Sequence, residues 1–126
     1  MPRIMVVEDE LLVGFAYAQA LEAEGHEVWC SPNGAAALAA VEAFDPDVIL
    51  TDCQMPKMSG VEMARALKRD PRRSRIPIVL VSGHSQGLAP ADVILFDAIL
   101  KKPASDGIIA AQVAGVARPP VESGAG

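Results

Sequence analysis

Short apolar runs rich in β-branched residues alternate with helix-forming stretches along almost the whole of this chain, and that alternation restricts the fold more than any other feature. The runs are Arg3 to Val7, Glu27 to Cys30, Asp47 to Thr51, Ile76 to Val81 and Ala98 to Lys101. Residues 11–24, 35–44, 60–69 and 106–117 read as helices between and after them. The boundaries have chemical reasons. Gly25 stops the first helix, and Ser31 or Asn33 can cap the second. Asp45-Pro46 and Asp70-Pro71 end the second and third helices, while Ser59 and Ser105 precede the third and the last. Strands that alternate with helices imply right-handed crossovers and a parallel sheet covered on both faces. The expectation is one doubly wound α/β domain over residues 1–117, with the Pro- and Gly-rich residues 118–126 as a disordered tail.

One crossover departs from the pattern. Residues 85–96 should supply a fourth helix, but Gly87 and Pro90 both disfavour a helix interior. Proline is tolerated in a first turn, so a short or irregular element starting near Pro90 is expected. Apolar spacing assigns core faces to the others: Val13, Ala16, Tyr17, Ala20 and Leu21 on the first helix, Val61, Ala64 and Leu67 on the third. On the last helix Ile108, Ile109, Val113 and Val116 should face inward.

Composition narrows the function classes. Hydrophobic residues make up 51% and aromatics 4%, which suits an Ala/Val/Leu-packed α/β core. A formal charge of −5 argues against nucleic acid as the main partner. The basic group Arg65, Lys68, Arg69, Arg72, Arg73 and Arg75 reads as a solvated helix end, where positive charge is favourable. No apolar stretch approaches the ~20 residues that a membrane span needs. Met1-Pro2-Arg3 leads straight into a strand without the apolar core of a signal peptide, so a cytoplasmic location without membrane contact is expected. Cys30 and Cys53 lack metal-type spacing and are expected to be free thiols, Cys53 as a small loop residue.

The chemistry sits where the strands stop. Glu8-Asp9-Glu10 follows the first strand and Asp52 ends the third, which is the edge where open α/β sheets keep their crevices. Carboxylates at two strand ends suggest a hard-cation site or a carboxylate nucleophile. Ser82 ends the fourth strand, and Lys102 follows the fifth. Taken singly, each has an ordinary surface explanation.

Taken together and in order, Val6-Val7-Glu8-Asp9-Glu10, Asp52-x-x-Met55-Pro56-x-Met58-x-Gly60, Ser82-Gly83 and Lys102-Pro103 resemble the receiver domain of two-component response regulators. The resemblance runs from Ile4 to about Ala117. It implies a flavodoxin-like five-stranded parallel sheet of order 2-1-3-4-5. It makes Asp52 the phosphoryl acceptor and gives Lys102, the residue immediately before the proline, the ammonium role in preference to Lys101. Mg²⁺ would be held by Asp9, Asp52 and the backbone carbonyl of Gln54, with Glu8 acting through a water, a donor set that suits a hard cation. Ser82 would hydrogen-bond the phosphoryl group after transfer. The implied partners are a histidine kinase or histidine-phosphotransfer protein and a downstream protein target.

Two positions depart from the family pattern. The aromatic residue common three places before the lysine is Ile99 here, and the helix beside it is the interrupted segment described above. The positions that often tune hydrolysis in the family, two beyond the acceptor and two beyond the hydroxyl residue, are Gln54 and His84 here. Leu11, Leu12 and Phe15 extend the apolar surface of the first helix; they either wrap into the core or dock a partner's helical bundle. Two other functions compete. A pseudo-receiver scaffold would use the altered face for binding alone. An aspartyl-nucleophile phosphohydrolase would need a second Asp two places after the first, where this chain has Gln54. The expected protein catalyses its own phosphorylation and slow dephosphorylation and is not otherwise an enzyme.

Overall fold

The computed structural model describes residues 2–53, 55, 57–83 and 88–117. The elements follow in the order β1 (Arg3–Val7), α1 (Leu11–Ala23), β2 (Glu27–Ser31), α2 (Gly34–Phe44), β3 (Val48–Asp52), α3 (Gly60–Arg69), β4 (Ile78–Ser82), α4 (Pro90–Val93), β5 (Ala98–Lys101) and α5 (Asp106–Val116). All strand pairs are parallel, and the sheet order is β2-β1-β3-β4-β5. This is the doubly wound arrangement expected, with the crossover from β1 through β2 back to β3 placing a topological switch at the β1/β3 boundary.

Period-two alternation divides the central strands between two apolar layers. Ile4, Val6, Val48, Leu50, Val79 and Val81 pack on one face with Leu21 of α1 and Ile109 and Val113 of α5. Met5, Val7, Ile49, Ile78 and Leu80 pack on the other with Ala37, Val41 and Phe44 of α2 and Met63, Ala64 and Leu67 of α3. A strand buried on both sides has no room for polar side chains along its length. Polar groups are therefore pushed to the strand ends, which is where they occur.

The helix ends obey local chemistry. Asn33 caps α2 by accepting from Ala36 N at 2.9 Å, and Ser105 accepts from Ile108 N at 3.2 Å. Ser59 and Glu62 form a reciprocal capping box at the start of α3. Gly25 has a φ of 95°, a left-handed conformation that favours glycine, just beyond α1. The element at Pro90 is four residues long with no buried member, as the interrupted sequence anticipates.

Two core faces differ from expectation. On α1 the buried residues are Gly14, Ala18 and Leu21, with Tyr17 packed at the margin of the core, so the inward face is rotated from Val13, Ala16 and Ala20. A helix that is apolar nearly all round does not specify its own rotation, and small residues allow the closest approach to the sheet. On α5, Ile108 is 53% exposed, while Ile109 and Val113 point inward. The boundaries of β3 and β4 also shift toward the C-terminus, so that Asp52 and Ser82 are last strand residues. The proposed tail, residues 118–126, lies outside the described residues.

The basic cluster is largely consumed by local contacts. Arg73 pairs with Asp70 and with Glu42 at 3.1 Å, and Arg65 pairs with Asp92 at 2.6 Å. Lys68 donates to the carbonyls of Ser74 and Ile76. These contacts tie α3 to its neighbours and support the reading of a structural helix end.

Candidate functional site

The parallel register brings the ends of β1, β3, β4 and β5 to one edge, where Asp9, Glu10, Asp52, Cys53, Ser82, Gly83 and Lys102 line a cavity of about 250 Å³. β1 delivers the first carboxylates. The Glu8 N–H donates to the Ser31 carbonyl at 3.0 Å, which holds the chain beyond β1 against β2. The Glu8 side chain turns inward and is only 5% exposed, accepting from the Glu10 N–H at 3.2 Å, whereas Asp9 is exposed. Burial pushes the Glu8 carboxyl up to about 7; the Glu10 N–H opposes this, and the negative charge of Asp52 adds to it.

β3 delivers Asp52. Its Oδ1 accepts from the Cys53 N–H at 2.8 Å and lies 3.2 Å from the Lys102 ammonium. The loop that follows must return tightly, because the Gly60 N–H donates to the Cys53 carbonyl at 2.9 Å. A Cβ on Gly60 would collide with the Asp52 carbonyl oxygen, so only glycine lets α3 start this close to the end of β3. The glycine eight positions after Asp52 thus has a steric reason.

β5 ends at the exposed Lys101, and Lys102 then turns into the cavity as its N–H donates to the Ser82 carbonyl at 2.9 Å. Burial works against the Lys102 ammonium, but its hydrogen bond to Asp52 and the charges of Asp52 and Glu8 outweigh that. The net effect is a pKa above the ordinary lysine value. Ser82 is buried at the cavity wall.

Glu8, Asp9 and Asp52 each offer an oxygen within 4.8 Å of the others. Closely spaced carboxylates at the mouth of a polar cavity form a donor set for a hard divalent cation such as Mg²⁺, and the residues present fit that group. Gln54 and His84 lie outside the described residues. Ile99 sits opposite Leu80 in the β4/β5 register and packs against the α2/α3-side core. Leu11, Leu12 and Phe15 are respectively 79%, 87% and 55% exposed, so they do not wrap into the core.

Cys53 is the residue that the sequence reading set aside. It lines the cavity together with Ser82, and burial followed by the Asp52 charge pushes its pKa up. Adjacency to a carboxylate at a strand end was the available signal.

A family model for the response regulator receiver domain matches residues 4–113. The chain belongs to that family. Receiver domains are signalling modules of two-component systems, and this one has similar relatives in several bacteria. It is 34% identical to the protein PilH of Pseudomonas aeruginosa over 86 residues, covering 68% of this chain and 71% of that protein. It is 37% identical to the polar-differentiation response regulator DivK of Brucella anthropi, over 68% of this chain and 70% of that one. Among solved structures, the receiver domain of a signal transduction histidine kinase from Syntrophus aciditrophicus aligns over 98% of both chains, with a TM-score of 0.80 and 29% identity. The response regulator TrrA of Thermotoga maritima, solved in complex with Mg²⁺-BeF, aligns with a TM-score of 0.83 and 25% identity over 92% of this receiver domain and 99% of that chain. Among its described residues, no helix is long and apolar enough to cross a membrane.

Proposed function

We propose that this receiver domain accepts a phosphoryl group on Asp52 from a phosphohistidine of a kinase or phosphotransfer partner. The observation that carries the reading is the Asp52 carboxylate held between the Lys102 ammonium at 3.2 Å and the oxygens of Glu8 and Asp9. Phosphoryl transfer is mainly a matter of positioning and charge neutralisation. The Cys53 N–H and Lys102 both engage Oδ1, which keeps the carboxylate oriented and leaves Oδ2 for attack on phosphorus. The O–P bond forms as the N–P bond of the phosphohistidine breaks, and the leaving imidazole nitrogen takes a proton.

Asp9 and Asp52 would hold Mg²⁺ directly, with Glu8 behind them through a water and the Gln54 carbonyl as a further ligand. When bound, the ion would neutralise the phosphoryl oxygens. Lys102 would share that task, and the Ser82 hydroxyl would take a phosphoryl oxygen after transfer and draw its loop inward. Gln54 and His84, two places beyond Asp52 and Ser82, would tune hydrolysis. Output would pass by contact with a downstream protein or by onward transfer, with Ile99 in place of an aromatic switch. Catalysis would be limited to the domain's own phosphorylation and slow dephosphorylation, in the cytoplasm.

The exposed Leu11 and Phe15 line a groove of about 480 Å³ between α1 and β2, and this groove with the exposed Leu12 is the surface we assign to the kinase or phosphotransfer partner. The test is incubation with Mg²⁺ and acetyl phosphate followed by intact-mass measurement. A gain of one phosphate that disappears in Asp52→Asn is the expected result; a gain that survives in the variant rejects the acceptor assignment. Phe15→Asp should slow transfer from a phosphohistidine protein at least tenfold while leaving labelling by acetyl phosphate intact, and equal rates would reject the docking surface.

A further inference from the structure

Two helices press on the loop that follows Asp52, and at both contacts the helix presents a glycine. Gly60 opens α3 beneath the Asp52 carbonyl. Gly34 opens α2 at the other end of the loop, where its N–H donates to the Met58 carbonyl at 3.4 Å. An N–H in a first helical turn has no partner within its own helix, so this contact satisfies α2 as well as the loop. A Cβ on Gly34 would lie 2.9 Å from Met58 Cγ, 3.0 Å from the Met58 carbonyl oxygen and 3.1 Å from Met58 Cβ. Gly34 is not in the left-handed region, so it is the close approach of Met58 that calls for glycine.

Neither helix yields easily at this contact. Ala37, Val41 and Phe44 anchor α2 in the core, and Met63, Ala64 and Leu67 anchor α3. Ser59, next to Met58, is fixed by the capping box. On the other side Lys57 has a φ of 68°, a left-handed conformation that a side-chain-bearing residue keeps only where its surroundings hold it. A push on Met58 is therefore taken up through Lys57, toward Met55 and Cys53, which pack on the same core cluster. Cys53 is the residue whose N–H orients Asp52 Oδ1.

We infer that Gly34 is a positioning residue: by carrying no side chain it seats Met58, and through Met58 it sets the loop beside Asp52 in the form that binds a divalent cation. The inference rests on the reading that Asp52 and its acidic neighbours hold Mg²⁺. It extends the determinants of that site to α2, none of whose described residues lines the cavity.

The experiment titrates Mg²⁺ into the full chain by calorimetry, in the wild type, Gly34→Ala, Met58→Ala, the Gly34→Ala/Met58→Ala double variant and Asp52→Asn, with urea midpoints measured alongside. Gly34→Ala should weaken Mg²⁺ binding by about tenfold, the loss typical of groups that orient metal ligands from behind. Affinity for a fully folded domain does not depend on its stability, so a merely structural glycine would lower the urea midpoint and leave the affinity alone. In the Met58→Ala background, where the atom nearest the added methyl is gone, the same substitution should cost about threefold or less. Unchanged affinity in Gly34→Ala, or an equal loss in both backgrounds, overturns the inference. Should Gly34→Ala fail to fold, Met58→Ala releases the same contact from the side of the loop and carries the same expectation of weaker binding; wild-type affinity in it is then the overturning result. Asp52→Asn separates the two levels. Absent binding in the wild type, or wild-type affinity in Asp52→Asn, defeats the reading that Asp52 holds the ion, whereas binding lost in Asp52→Asn with no effect at Gly34 defeats the positioning role alone.

Discussion

The β3–α3 half of the molecule and the β4–α4–β5 half contribute to the same cavity but are built differently. β3 is buried along its length, α3 inserts Met63, Ala64 and Leu67 into the core, and a capping box and a close glycine contact lock the loop end beside Asp52. Across the sheet, α4 is four residues long and buries none of them, Ile94 beyond it is 81% exposed, and β5 is only half-buried. Because β4 is itself fully buried, the contrast lies between the densely packed β3–α3 region around Asp52 and the lightly packed α4–β5 segment. That division suits a switch: acceptor chemistry needs fixed distances, while a response of modest energy can move only a segment that few contacts restrain.

Paired truncations would break this comparison most directly. Leu67→Ala in α3 should destabilise the domain by about 2–5 kcal/mol, as for other buried leucines, while Ile94→Ala should change stability by no more than about 0.5 kcal/mol. Urea unfolding of both variants decides the matter, and equal losses would show that the two halves are equally packed.

The carboxylate that β1 adds to the cavity is also expected to store an electrostatic strain that the α4–β5 segment lacks. Glu8 has a pKa raised from 4.5 to about 7 by burial, so between those values the folded protein keeps a proton that the unfolded chain has released. Stability without divalent ions should therefore fall as pH rises through that window and level off above it. Glu8→Gln should flatten the profile and stabilise the metal-free protein at pH 8 by about 1–3 kcal/mol. Melting temperatures from pH 5 to 8.5 in a chelating buffer measure this, and a wild-type profile as flat as the variant's would show that Glu8 stores no such strain.

The smallest effect sharpens the comparison. Arg65 reaches from α3 to Asp92 in α4, with Nη2 at 2.6 Å and Nε at 3.2 Å from the same carboxylate oxygen. An exposed pair of this kind contributes about 0.2–1 kcal/mol, little for global stability but a large share of what holds so short a helix. Arg65→Ala should leave the urea midpoint nearly unchanged and speed hydrogen exchange at residues 92–96 several-fold. Exchange at the wild-type rate would mean that α4 is held by something other than this tether.

Much of the architecture could be read from the chain because strand and helix signals were strong and well punctuated. The β-branched runs, Gly25, Asn33, Ser59 and Ser105 act within a few residues of themselves, and α3 was expected at the residues it occupies. Even the weak α4 was legible, since Gly87 and Pro90 act through the local backbone. Leu11, Leu12 and Phe15 could be seen as surplus apolar surface, but their exposure could not, because α1 is apolar nearly all round and its rotation depends on what it packs against.

By itself the sequence determined the order of elements and the polar residues at strand ends. These follow from local propensity, from side-chain alternation and from polar groups being excluded from doubly covered strands. Tertiary structure alone decided that Gly14, Ala18 and Leu21 face the sheet, that Glu8 is buried while Asp9 is open, and that Cys53 and Ser82 line one cavity. Those outcomes depend on register between strands far apart in the chain, and no stretch of sequence carries the distance from one strand end to the next.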